Sequence, residues 1–169
     1  HWATYLALVF LRPYLEEFLF YCYKNFNVGF WTAGNPLYCK EILKLILSEE
    51  QYNLTNIILA REGKDYINLK NHTVYNDVNT DETKKPLEKI WNDANLMEDF
   101  NPKNTILIDD NIRICLENPL NSINVPRFDR FSKKDEFLIK LKLILELIKD
   151  FSDVRIMDRD VIESNFENL

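Results

Sequence analysis

The most informative part of the sequence is one stretch, Asn104-Thr105-Ile106-Leu107-Ile108-Asp109-Asp110-Asn111. Residues 105–108 are apolar or β-branched without a polar break, which is typical of a strand buried on both faces in a parallel sheet. Two carboxylates, Asp109 and Asp110, follow at the strand end where open α/β sheets bind their ligands. Adjacent acids repel each other, so we expect a cation such as Mg²⁺ to compensate them. The competing interpretation is that Asp110 and Asn111 only cap the next helix.

Apolar runs alternate with amphipathic helical patterns along the rest of the chain. Further strands are predicted at 5–11, 28–31, 56–60 and 122–126. Helices are predicted at 14–26, 36–48, 85–92 and 135–151, with a short helix or turn at 112–117 and a small hairpin inside the polar segment 61–83. This alternation predicts an α/β fold with a three-layer, Rossmann-like arrangement: a largely parallel sheet flanked by helices, with right-handed crossovers and no large cap domain.

Bulk composition narrows the possible functions. With 169 residues, 46% of them hydrophobic, the chain can form one domain, which we place at 1–151 with an acidic tail at 152–169. A net charge of −6 and the lack of a basic run argue against nucleic acid as a partner. No apolar segment approaches the ~20 residues that cross a membrane. Only three glycines occur, which excludes a glycine-rich phosphate loop.

The cysteines indicate the redox environment. There are three of them, in no Cys-x-x-Cys pair and all within apolar patterns: Cys22, Cys39 and Cys115. Such residues are typical of buried thiols in a reducing compartment. We therefore expect an intracellular setting, either nuclear or cytoplasmic, with a virion as an alternative.

Polar groups stand at the ends of two predicted strands and at the start of one predicted helix, and these positions should lie at one edge of the sheet. Thr32 comes after the strand at 28–31, Lys85 begins a helix, and the acids Asp109 and Asp110 end the strand described first. A hydroxyl and an ammonium can hold phosphoryl oxygens, and paired acids can hold the metal that offsets their charge. Backbone N–H groups after Thr32 would add anion-binding donors. Each residue alone is more often a turn residue or a solvated helix start, but together they favour phosphate chemistry.

Four motifs in order resemble the haloacid-dehalogenase superfamily. Within it, the sequence is similar to the phosphatases that act on the carboxy-terminal domain of RNA polymerase II, also called NLI-interacting-factor-like phosphatases. The segment 11–19 looks like that family's RPxLxEFL segment, and 30–34 looks like its second motif. The segment 85–91 is similar to its lysine motif, and 104–111 to its acidic fourth motif. The resemblance covers residues 11–151, most of the chain.

The resemblance implies specific roles. The catalytic residues would be Thr32 and Lys85, with Lys84 as the alternative if the register is shifted by one. Phosphate would be bound by four residues: Thr32, Ala33, Lys85 and Asn121. Mg²⁺ would be held by Asp109, with Asp110 as a second ligand or an orienting partner. Arg12 could pair with a carboxylate at the same edge.

One family motif is missing from the sequence. The nucleophile motif DxDx(T/V) should precede Leu11, and residues 1–10 contain no such pair of aspartates. Its first aspartate forms the aspartyl-phosphate and its second acts as general acid and base. Because the sequence begins with His1, we expect the motif to lie upstream of it. The alternative is a fold retained without the chemistry.

Three hypotheses follow for the function. The first is a Mg²⁺-dependent, aspartate-based phosphatase of phosphoserine or phosphothreonine in proteins, with the RNA polymerase carboxy-terminal tail as a candidate substrate. The second is a catalytically inactive structural or binding module in a larger assembly, such as the particle of a large DNA virus. The third is a small-molecule phosphatase, which the absence of an obvious cap disfavours because a metabolite needs an enclosed site.

Overall fold

The computed structural model describes residues 8–76, 84–131 and 134–158. The helices are α1 (Leu15–Asn25), α2 (Pro36–Ile46), α3 (Glu49–Leu54), α4 (Glu88–Trp91), α5 (Ile112–Glu117) and α6 (Phe137–Ile148). The strands are β1 (Gly29–Trp31), β2 (Ile57–Glu62), β3 (Asp65–Asn68), β4 (Val74–Tyr75), β5 (Leu107–Asp109) and β6 (Ser122–Asn124). The α/β class is thereby confirmed, and the described residues include no large cap domain. None of the helices in these ranges is long and apolar enough to cross a membrane.

The strands form a four-stranded sheet in the order β1-β2-β3-β4 and a separate pair, β5-β6. Both β1-β2 and β5-β6 are parallel, as the sequence predicts. Strands β2, β3 and β4 are antiparallel, and β3-β4 is the small hairpin expected within 61–83. The β2-β3 turn begins at Gly63, whose φ of +64° suits a residue without a Cβ.

Helices and turns cover both faces of β2, which gives the predicted three layers. Ile57 and Leu59 pack into one cluster with Ile90 of α4. The alternate residues, Ile58 and Ala60, pack on the opposite face against α2. A strand buried in this way carries no polar alternation, so its uninterrupted apolar run identified it.

The β5-β6 pair and the larger sheet belong to the same layer. Val28, next to β1, and Ile106, next to β5, both pack against the cluster formed by α1 and α6. On the other face, Trp31 of β1 and Leu107 of β5 pack against one common cluster. Strands β1 and β5 are therefore the facing edges of the two sheets, and neither has a second strand partner among the described residues.

The solvent exposure of β1 and β5 is consistent with strands that each have one edge without a partner among the described residues. Ile108 in β5 is 36% exposed, whereas Ile58 at the centre of β2 is fully buried. Likewise, no residue of β1 is fully buried. A strand flanked on both sides loses such exposure, so β1 and β5 have the burial of edge strands.

Two predicted boundaries differ from the structure. The strand expected at 5–11 falls partly outside the described residues, and its remainder, 8–11, is irregular and exposed because no described strand pairs with it. The acidic tail was expected from residue 152, yet Val154 and Met157 are buried and the Val154 N–H donates to the Lys103 carbonyl. Packing of the domain therefore extends to Met157, and 159–169 lie outside the described residues.

Local sequence signals explain most helix boundaries. Asn35 caps α2 by accepting from the Tyr38 N–H, with Pro36 at the first helical position as predicted. Helix α3 was not predicted, although Ser48 and Gln51 form a reciprocal capping box at its start. An amphipathic last helix is confirmed, since α6 buries the following residues: Leu138, Leu141, Ile144, Leu145 and Ile148. Leu147, which was expected in the same apolar stripe, is exposed instead.

Candidate active site

A buried ion pair lies at the carboxyl end of β5. The Lys85 Nζ is 2.5 Å from the Asp109 Oδ2, and each residue is only 8% exposed. Lys85 precedes α4 and Asp109 is the last residue of β5. The structure thus brings together two of the residues selected from the sequence. A buried charge is stable only when it is paired, which explains why these two side chains meet.

The remaining carboxylate atoms at this edge differ in their contacts. The Asp109 Oδ1 accepts from the Asn111 N–H at 2.8 Å. Asp110 is exposed. Asn111 caps α5 by accepting from the Arg113 N–H, so capping, the competing interpretation of this segment, is confirmed for Asn111.

The two acids fit Mg²⁺ in the chemistry of their donors. This ion prefers hard oxygen ligands and commonly uses only one or two carboxylates from the protein. Asp109 and Asp110 provide two carboxylates in sequence, and Asp110 is open to solvent. Over the described ranges there is no group of three or more acidic, histidine or cysteine side chains placed to hold a metal.

Thr32 lies directly after β1, in a tight turn. Its Oγ1 accepts from the Gly34 N–H at 3.0 Å, and its own N–H donates to the Leu59 carbonyl. A Cβ at Gly34 would lie 2.7 Å from the Tyr38 ring and 3.3 Å from the Thr32 hydroxyl, so glycine keeps this turn compact. Ala33, at the tip of the turn, is exposed.

Thr32 and the Lys85–Asp109 pair are not in hydrogen-bond contact. They are related through the core, because Trp31 and Leu107 pack against the same cluster. Thr32 follows the carboxyl end of β1, which is parallel to β2, and Asp109 is at the carboxyl end of β5, which is parallel to β6. The space between these strand edges separates the hydroxyl from the ion pair.

Asn121 lies at the opposite end of β6 from Asp109. Leu107 pairs with Ser122 and Asp109 with Asn124, so Asn121 precedes the amino end of the strand. Its Nδ2 donates to the carbonyls of Pro102 and Thr105, at 2.7 and 2.8 Å. The structure does not bring Asn121 to the edge that carries Lys85 and Asp109, and its amide stabilises the loop before β5.

Two residues at the end of α5 hold the segment that carries Lys85. The Lys85 N–H donates to the Glu117 Oε2, and the Lys85 carbonyl accepts from the Asn118 Nδ2. Lys84 contacts Glu117 instead, 3.5 Å away, which distinguishes Lys85 from the neighbour kept as an alternative. Sequence reasoning missed Glu117 and Asn118, since nothing in their local pattern indicates contacts more than 30 positions away.

Arg12 connects segments that are far apart in the sequence. Its Nε donates to both carboxylate oxygens of Asp135, each at 3.0 Å, and its Nη1 donates to the Pro126 carbonyl. Its guanidinium also lies over the Phe137 ring. The expected carboxylate partner therefore exists, but it stands just before α6 and not at the end of β5.

Two surface grooves of the described residues lie away from this pair. One groove of about 400 Å³ runs between α1 and α6, and one of about 1090 Å³ lies between α1 and the end of α2. Neither is lined by Thr32, Lys85 or Asp109.

Comparison with known proteins gives consistent matches. The model of a family described as NLI interacting factor-like phosphatase matches residues 2–155. The chain is 33% identical over 138 residues to the putative CTD phosphatase-like protein 355R of Invertebrate iridescent virus 6, covering 79% of this chain and 71% of that one.

Cellular relatives are longer than this chain. It is 31% identical over 154 residues, 87% of its length, to the ubiquitin-like domain-containing CTD phosphatase of Arabidopsis thaliana. It is 29% identical over 148 residues, 85% of its length, to the ubiquitin-like domain-containing CTD phosphatase 1 of Homo sapiens. The matches cover 42% and 43% of those two proteins, so the chain spans less than half of either.

Proposed function

Because the chain belongs to the family of NLI-interacting-factor-like phosphatases, we propose that it forms most of a Mg²⁺-dependent, aspartate-based protein phosphatase. The proposed substrate class is phosphoserine or phosphothreonine in an exposed protein segment, with the RNA polymerase carboxy-terminal tail as a candidate. The observation that carries the proposal is the buried Lys85–Asp109 pair at the carboxyl end of β5. The names of the relatives, which include CTD phosphatases, support the substrate class.

Each residue at this edge has a chemical role in the proposal. The Lys85 ammonium neutralises charge on the phosphoryl group during transfer, when that charge is greatest. The Thr32 Oγ1 accepts from the Gly34 N–H, so its own hydrogen remains able to donate to a phosphoryl oxygen. The exposed Ala33 supplies a backbone N–H for the same group. We leave Asn121 out of the proposed site, since its donors already bond to two carbonyls.

The acids of β5 are proposed to hold the metal. Asp109 and Asp110 would bind Mg²⁺, which when bound would offset negative charge on the phosphoryl oxygens. The Lys85 ammonium is paired with the Asp109 carboxylate and would compete with the metal for it. The Asp110 carboxylate is exposed, so it is accessible to the metal.

The nucleophile is proposed to enter on an additional strand between β1 and β5. These strands have edges without a partner among the described residues, and Ile108 of β5 is 36% exposed whereas Ile58 of β2 is fully buried. A parallel strand in this position would end between Thr32 and the Lys85–Asp109 pair. Its carboxyl end would then present the DxDx(T/V) aspartates to both groups.

Phosphate release from phosphoserine peptides by the full-length protein tests the proposal. We expect Mg²⁺-dependent release that falls at least about 100-fold in Lys85→Met, since electrostatic groups of this kind contribute that much. The matched control is Lys44→Met, an exposed lysine of α2 that pairs with Glu41 on the same helix, and it should keep full activity. A full-length protein that stays inactive with Mg²⁺ would overturn the proposal and favour a binding module within a larger assembly.

A further inference from the structure

We propose that Asn118 is a positioning residue that fixes the Lys85 ammonium against Asp109. The inference rests on the proposed function for the use of Lys85, but the geometry that it explains is present without substrate. Asn118 is the residue after α5 and is 6% exposed. It touches neither the ammonium nor the carboxylate, and acts through the backbone of the lysine segment.

The Asn118 side chain bonds to that segment at two points. Its Nδ2 donates to the Lys85 carbonyl and its Oδ1 accepts from the Leu87 N–H, each at 3.0 Å. The same Nδ2 donates to the Ile114 carbonyl at 3.1 Å, within α5. One amide thus joins residues 85–87 to the last turn of a helix.

The helix that carries Asn118 is itself attached to Asp109. Helix α5 begins at Ile112, shortly after Asp109, and its cap Asn111 donates its N–H to the Asp109 carboxylate. The backbone carbonyl of Asn118 accepts a hydrogen bond from the Ser122 Oγ at 2.9 Å, which also attaches this residue to β6. Both members of the ion pair are therefore mounted on one rigid unit of β5, α5 and β6.

Such mounting matters because a lysine side chain is flexible. Ordering a lysine side chain costs rotamer entropy, and a mobile backbone would add to that cost. Bonds to the Lys85 carbonyl and the Leu87 N–H hold the backbone on which the side chain is built. The residue must be asparagine, because aspartate would turn a carboxylate toward two carbonyl oxygens and serine would be too short to reach both groups.

The test observes the lysine ammonium directly by NMR of protein labelled with ¹⁵N-lysine. Lys85→Met identifies the Lys85 signal by its loss. In the natural protein this buried, bonded ammonium should exchange slowly with water at low temperature. In Asn118→Ala we expect its exchange to accelerate at least about tenfold, because local order controls exchange.

Two further variants complete the experiment. Asn118→Ser removes the Nδ2 donors without burying a charge, and serine is too short to reach both groups, so it decides the matter if Asn118→Ala does not fold. The matched control is Asn68→Ala, a fully buried asparagine of β3 whose Oδ1 accepts from the Ile58 and Lys70 N–H groups. This control should lose stability while the Lys85 signal stays unchanged.

The outcomes are distinct from those of the phosphatase assay. An unchanged Lys85 signal in the folded Asn118 variants would overturn the positioning role, whatever the full-length protein does. An inactive full-length protein in which Asn118→Ser still releases the Lys85 ammonium would contradict the phosphatase and leave the positioning role supported.

Discussion

Lys85 and Asp109 depend on each other because both are removed from water. Removing one partner leaves the other charge buried and unpaired, which costs about 3–5 kcal/mol in comparable pairs. We therefore expect Lys85→Met and Asp109→Asn each to lower the free energy of unfolding by that order. The double variant should lose clearly less than the sum of the two. Urea denaturation of the four proteins checks this, and strictly additive losses would show that the two groups are independent.

Arg12 should be irreplaceable by lysine, since it combines a two-oxygen contact with Asp135 and stacking over Phe137. We expect Arg12→Lys and Arg12→Ala to cost similar amounts, about 2 kcal/mol, because lysine provides neither the planar fork nor the stacking. Thermal or urea unfolding provides the measurement. The matched control is Arg155→Ala, which breaks a more exposed pair with Asp153 two residues away and should lower the stability clearly less than either Arg12 substitution. Full rescue by Arg12→Lys would contradict this account.

The sequence identified individual residues with mixed success. Lys85 and Asp109 could be chosen because they stand at one predicted edge of the sheet, where a lysine and a carboxylate favour phosphate chemistry, and because the resemblance assigns roles to both. Asn121 was selected from the resemblance alone, yet it precedes the strand predicted at 122–126 and so lies at the amino end. Asn118 gave no local signal, because its contacts with Lys85 and Leu87 form only in the folded chain.

Helices α1 and α6 pack through a core that includes Cys22, and this packing should make stability depend on alkaline pH. Burial raises the pKa of the Cys22 thiol from 9.0 to about 12, so the folded state retains a proton that the unfolded state loses. Stability contributed by this group is complete below pH 9 and falls as pH rises toward 12. Between pH 8 and pH 10 the loss is about 1 kcal/mol.

Comparing the natural protein with Cys22→Ala isolates this group. Both should become less stable at high pH, because burial, followed by the hydrogen bond to Glu146, also raises the pKa of Tyr21. The natural protein should lose about 1 kcal/mol more than the variant between pH 8 and pH 10. Equal losses in urea titrations at the two pH values would show that the thiol does not contribute.

Helices and strands could be predicted from the sequence where a single local pattern determines them. The apolar spacing of α6, the proline start of α2 and the unbroken run of β2 each specify a single structure. The segment at 8–11 has the same apolar character but is irregular, because a strand also needs a neighbour and sequence period does not supply one. Helix α4 is shorter than predicted, spanning Glu88–Trp91, and the turns that follow it pack Leu96 and Phe100 into the core.

The open edges of the sheet predict a specific pattern of amide exchange. Thr32 and Leu107 donate to the Leu59 and Asn121 carbonyls, at 2.9 and 2.7 Å. Successive N–H groups of a strand point to opposite sides, so those of Trp31 and Ile108 face the space between β1 and β5.

Hydrogen exchange followed by NMR measures this difference. In this chain we expect Trp31 and Ile108 to exchange at least about tenfold faster than Thr32 and Leu107. In a full-length protein that supplies the additional strand, all four amides should be protected. Slow exchange at both edges in the present chain would contradict an open space.

The sequence predicts only part of the arrangement of the whole molecule. Alternating strands and helices predicted the layers, and the parallel pairs predicted which strand ends meet at one edge. The β3-β4 hairpin was predicted, but its antiparallel attachment to β2 depends on a two-residue turn at Gly63, which the sequence showed only as part of a polar segment. How closely Thr32 approaches Lys85 depends on what separates β1 from β5, and no pattern in residues 8–158 specifies that distance.

The Arg12–Asp135 pair joins positions 123 residues apart, and this has a consequence for biosynthesis. A ribosome releases Arg12 and α1 long before α6 leaves the exit tunnel. Until then the nascent chain lacks most of the residues against which Tyr21 and Cys22 are buried, so much of the α1 face stays open to chaperones. Completion of this domain is therefore a late event in translation, set by the arrival of its last helix.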